Sequence, residues 1–143
     1  MTDAPSDPTT EPSDEPSDAA VVALAQKLFD AARRGETELL AAYVDAGAPV
    51  DLAGATGDTL LMLAAYHGHA DTVVALIARG AEVNAPNAKG QVPVAGATFK
   101  GFSDVVEALI SAGANPDLGM PTARETARMF ERSDLLALFD HTD

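Results

Sequence analysis

Gly57-Asp58-Thr59-Leu60-Leu61-Met62-Leu63-Ala64-Ala65-Tyr66-His67-Gly68-His69 decides the fold when read with Ala70-Asp71-Thr72-Val73-Val74-Ala75-Leu76-Ile77-Ala78-Arg79-Gly80-Ala81, which follows it. Thr59 is a helix N-cap, and the apolar run behind it is helical. Ala64 and Ala65 are small enough for neighbouring helices to approach closely. Gly68 permits a tight reversal. Val73, Leu76 and Ile77 then form the apolar side of a second helix. The unit closes on Gly80-Ala81-Glu82-Val83-Asn84, and that pentapeptide has two relatives: Gly47-Ala48-Pro49-Val50-Asp51 before it and Gly113-Ala114-Asn115-Pro116-Asp117 after it. The three start 33 residues apart, the period of a stacked-repeat architecture. A solenoid of helix pairs works by presenting a surface.

Outward from this copy the pattern weakens in both directions. The third copy starts at Gly90. Pro93 occupies the first helical turn, where its missing N–H costs nothing. Val92 stands where the capping Thr stood, Ala95 and Gly96 interrupt the large apolar residues, and Phe102 follows Gly101 where His69 follows Gly68. Gly96 costs about 1 kcal/mol relative to Ala in a helix interior, so this first helix is expected to be the least stable. A degenerate fourth copy runs from Thr122, 63 residues after Thr59 instead of 66, which implies three residues lost from the preceding turn. Arg124, Arg128 and Arg132 recur every four residues and are expected to face solvent.

Upstream, Ser17 or Asp18 caps a helix with Val21, Leu24, Ala25, Leu28 and Ala32 at helical spacing, ending at Gly35. A second helix over 36–45 turns Leu39, Leu40, Tyr43 and Val44 inward. Residues 1–18 have a different composition: four prolines, six acids (Asp3, Asp7, Glu11, Asp14, Glu15 and Asp18) and no base. This reads as a disordered acidic tail.

The 143 residues suit one domain. With no Cys, thiolate chemistry and disulfides are excluded. The net charge is −13, and about −7 without the tail, so nonspecific binding to nucleic acid or anionic lipid is disfavoured. Neither a membrane-length apolar run nor the basic and apolar regions of a signal peptide are found, and a cytoplasmic location is expected. None of the six serines has a Gly-x-Ser-x-Gly setting, and Gly54-Ala55-Thr56-Gly57 lacks the Lys of a phosphate loop. No enzymatic role and no cofactor are expected. His67, His69 and Asp71 are not spaced for one metal-binding helix face.

The second copy resembles the ankyrin repeat, whose pattern runs Gly-x-Thr-Pro-Leu-His-x-Ala-Ala, then Gly-His, an apolar helix and Gly-Ala-x-Val-Asn. The resemblance spans roughly residues 19–140 and is strongest between 47 and 117. It implies an all-α ankyrin-repeat solenoid of about four helix-turn-helix repeats with short hairpin-like turns, divided near 19–51, 52–84, 85–117 and 118–143, the first and last acting as caps. It also implies a protein–protein interaction module. In such arrays the inter-repeat turns are fingers and the first helix of each pair lines a palm, and partners usually touch both. Carried over by position, the candidates in the second copy are Thr56, Asp58, Tyr66 and His67, with Ala55. In the third they are Lys89, Gln91, Phe99 and Lys100, with Ala88, and in the first Arg33 and Arg34. The His69 position in ankyrin repeats typically bonds backbone in the neighbouring turn.

Arg33, Arg34, His67 and Lys100 align at one palm edge with Tyr66 and Phe99 beside them. This suggests a basic–aromatic strip for an acidic partner segment carrying apolar anchors. The protein itself is expected to be a monomer. Small bacterial ankyrin proteins of similar kind are encoded beside catalases, which implies a second reading as accessory or chaperone-like partner of a redox enzyme such as catalase. A self-associating structural protein is the third.

Overall fold

The computed structural model describes residues 17–140. The acidic segment 1–16 and His141 lie outside the described residues. Among the described residues there are eight helices: α1 (Asp18–Arg34), α2 (Thr37–Asp45), α3 (Leu60–Tyr66), α4 (Ala70–Ala78), α5 (Pro93–Lys100), α6 (Ser103–Ser111), α7 (Ala123–Met129) and α8 (Ser133–Asp140). They form four pairs. The first helices stack in the order α1, α3, α5, α7, and the second helices stack behind them as α2, α4, α6, α8. The result is an all-α two-layer solenoid, with an isolated antiparallel bridge between Ala53 and Thr59 in a finger.

Local chemistry sets the helix ends. Ser17 Oγ accepts from the Ala20 amide at 3.1 Å and Thr59 Oγ1 from the Met62 amide at 3.1 Å. Thr122 and Glu125 form a reciprocal capping box. Val92 offers no side-chain cap to α5. Each first helix ends in a left-handed residue: Gly35, Gly68 and Gly101 at φ 74°, 81° and 81°, then Glu131 at 57°. A glycine takes this conformation without the Cβ strain that Glu131 carries.

The core runs the length of the stack through Leu28, Leu40, Leu60, Leu61, Leu76, Val94, Val105, Leu109, Leu135 and Phe139, all at most 1% exposed. Ala31, Ala64, Ala97 and Ala127 are fully buried along the inner layer. A stripe of small residues lets these helices pack closely. The fifth residue of the pentapeptide ties successive units together. Asp51 Oδ1 accepts from the Glu82 amide and Asn84 Oδ1 from the Asn115 amide, both at 2.9 Å. Thr37 and Thr72 hydroxyls meet at 2.6 Å between α2 and α4.

The apolar positions of α1 are only partly buried, and one expectation about packing is corrected. Val21 and Leu24 are 50% and 38% exposed, because α1 has 17 residues against seven in α3 and its first turns outrun the neighbour. The buried part of α1 is Leu28, Phe29, Ala31 and Ala32. In the fourth copy, Arg128 is exposed but Arg124 and Arg132 are largely covered. Arg124 bonds Asp117 at 2.8 Å and Asp140 at 2.6 Å, and Arg132 bonds Asp134 at 2.9 Å and Ser103 at 2.9 Å. The shortened turn before Thr122 remains docked to the preceding finger, the Met120 amide donating to the Gly90 carbonyl at 3.1 Å.

Candidate functional site

The ten sequence candidates fall into two groups. Thr56, Asp58, Lys89 and Gln91 sit on the fingers. Asp58 accepts from Thr56 at 2.8 Å and from Asn87 Nδ2 at 2.9 Å, and the same Asn87 amide group donates to Gln91 at 2.8 Å. Asp58 and Gln91 therefore brace adjacent fingers, while the Lys89 side chain lies in the open.

Arg33, Arg34, Tyr66, His67, Phe99 and Lys100 sit where α1, α3 and α5 end. The repeat geometry brings these ends together. Lys100 Nζ lies 5.1 Å from the Tyr66 ring centroid, a cation–π distance, and the Tyr66 and His67 rings are 5.8 Å apart. His67 is held below its ordinary pKa of 6.5, first by burial and then by the positive fields of His69, Lys100 and Arg33. Arg33 is partly engaged with Asp30 at 2.9 Å, and Arg34 stands 4.0 Å from Glu36. Exposed pairs of this kind contribute little and remain available. Among the described residues Lys100 has no carboxylate within 4.0 Å.

His69 belongs to the scaffold. Its Nε2 donates to the Arg33 carbonyl at 2.7 Å, across one repeat.

Several residues that sequence reasoning left aside complete the palm. Tyr66 and Phe99 are 36% and 55% exposed, and between them lies a hollow of about 290 Å³ whose lining includes Met62, Ala95, Gly96, Pro121 and Thr126. Phe130 extends the aromatic line, its ring 5.8 Å from that of Phe99. Phe130 stands eight residues after Thr122, as His67 stands eight after Thr59, so aligning the degenerate copy on its cap would have found it. A wider hollow of about 840 Å³ opens beside α6 and α8. Its one cation, Arg124, is already held by Asp117 and Asp140, whose hydrogen bonds raise its pKa.

Among the described residues no helix is long and apolar enough to cross a membrane. A search of curated proteins finds no match to the chain. A family model described as ankyrin repeats, three copies, matches residues 28–119, more than half of the chain. Such repeats generally serve as non-enzymatic protein–protein interaction modules. The period, the stacked helix pairs and this match agree, and the chain belongs to the ankyrin-repeat family.

Proposed function

We propose that the protein binds a partner protein through the palm formed by the ends of α1, α3 and α5, and that the partner offers an acidic segment with apolar anchors. The observation that carries this reading is the gathering of Arg33, His67 and Lys100 beside exposed Tyr66 and Phe99 in a chain of net charge −13. Aromatic and cationic side chains are the usual interface anchors, and a stacked scaffold loses little entropy on binding. The protein acts as a cytoplasmic monomer without catalysis. A short array limits the footprint, so micromolar affinity fits the reading.

The test is a paired affinity capture with wild-type protein, the Tyr66→Ser, Phe99→Ser double variant and Lys100→Glu, each checked by circular dichroism. A protein retained by the wild type and lost from both folded variants supports the palm. Equal retention by all three removes it in favour of the fingers. A double variant that no longer folds shows instead that Tyr66 and Phe99 belong to the core.

A further inference from the structure

We infer that Gly96 shapes a recognition notch, by letting its walls close onto α5, and that this notch accepts one bulky aliphatic side chain of an acidic partner segment, so that this glycine sets the specificity of the palm. The inference deepens the palm reading and rests on it. Glycine inside a helix is a local flaw, yet Gly96 is buried in the middle of α5. A Cβ built there would lie 3.2 Å from Tyr66 Cδ1 and 3.3 Å from Met62 Cε, tighter than ordinary contact. The missing side chain thus lets Tyr66 and Met62 of α3 rest directly on α5, in the volume a larger residue would take, and the hollow opens beside them. Tyr66 and Met62 form one wall, Phe99 the other, and Pro121 and Thr126 close the side toward α7.

The volume, about 290 Å³, is at the lower end for ligand pockets. That suits a single side chain better than a whole small molecule. The walls are mainly apolar, and the Thr126 hydroxyl is already used on the Thr122 carbonyl at 2.8 Å. Gln91, also in the lining, accepts from Asn87 Nδ2 at 2.8 Å, so an aliphatic group meets mostly apolar wall. Met62 and Phe99 offer adaptable and flat surfaces for it.

Charge selects what flanks the anchor. Lys100 lies against the Tyr66 wall, with His67 beside that ring. The acids on the finger side are committed: Asp58 to Thr56 and Asn87, and Glu125 to the Thr122 amide at 3.0 Å. Those carboxylates keep their charge but lie toward the fingers, so the positive side of the rim is where the helices end and Lys100 sits. Carboxylates next to the anchor are favoured there and lysines are not.

The probes are two fluorescein-labelled heptapeptides, one with a central leucine between aspartates and one with alanine in its place. Polarisation titrations at low salt use the full chain. The leucine peptide is expected to bind at least about tenfold tighter than the alanine peptide. Gly96→Ala should remove that preference by displacing Tyr66 and Met62, and Lys100→Glu should weaken both peptides. In the wild type, the backbone amide resonances of Ala95, Gly96 and Ala97 should move with the leucine peptide only, a readout independent of how Gly96→Ala folds. Equal binding of the two peptides overturns the notch and leaves the basic–aromatic strip standing. Retained preference in folded Gly96→Ala also overturns the notch. No binding of either peptide sinks the strip reading and the notch with it.

Discussion

The inner helices α3 and α5 occupy the same place in successive repeats, yet their sequences give very different reasons to be helical. α3 has the Thr59 cap and a run of leucine, methionine and alanine. α5 starts at an uncapped Val92, uses proline for its first residue and carries Gly96. Both are nevertheless buried alike, six of seven residues in α3 and six of eight in α5. Neither is long enough to be helical alone, since isolated helices below about 12 residues are marginal in water. What differs is how each is assisted. α3 adds its Thr59 cap and helix-forming residues to its packing, whereas α5 relies more on its packing against α3, α6 and α7. The weak helix also lines the hollow between Tyr66 and Phe99, where Gly96 trades local stability for close approach of α3.

The sharpest way to break this comparison is to thin the packing of each helix. Leu61→Ala should cost about 3 kcal/mol, and Val94→Ala about 2 kcal/mol, since both side chains are fully buried. Denaturant unfolding gives both values. If Val94→Ala proved silent, stacking would not be what holds α5. A smaller effect sharpens the contrast: Thr59→Ala should cost about 1 kcal/mol by removing the α3 cap, with faster hydrogen exchange at Met62. No single polar deletion at the start of α5 can have the same effect, because no side-chain cap exists there to lose.

The smallest effect is one of pH. His67 binds its proton less readily in the fold than in the unfolded chain, where its pKa is about 6.5. Stability is therefore full above that value and declines as pH falls through it toward the lower folded pKa. His67→Gln should flatten this slope in melts between pH 7.5 and 5.5. A separate acid loss starts lower, where Asp117 and Asp134, held below 3.8 by hydrogen bonds from Arg124 and Arg132, take up protons.

Much of the architecture was legible because it is periodic. The 33-residue spacing, the glycine reversals and the Thr59 cap each have one physical reading, and the structure realises them. The candidate site was legible only by position. Which of Arg33, His67 and Lys100 approach one another depends on how far each repeat rotates over the last, and no local pattern encodes that. Gly96 shows the limit most clearly. Read along the chain it is a defect in α5, because the residues that give it meaning, Met62 and Tyr66, come from another repeat. Arg124 and Arg132 mislead for the converse reason. Their four-residue spacing indicates a solvent-facing stripe, but their carboxylate partners Asp117, Asp134 and Asp140 all lie outside α7.

The residue after each left-handed reversal shows how the order of the repeats is written into the chain. His69 covers Gly35 so closely that an added Cβ would sit 2.4 Å from its ring, Phe102 covers Gly68 at 3.0 Å, and Arg132 covers Gly101 at 3.4 Å. Imidazole, phenyl and guanidinium are not interchangeable lids. Each seam is keyed to its own neighbour, so the repeats are not modular bricks: shuffling two of them would place a lid on a reversal whose surroundings were shaped for another.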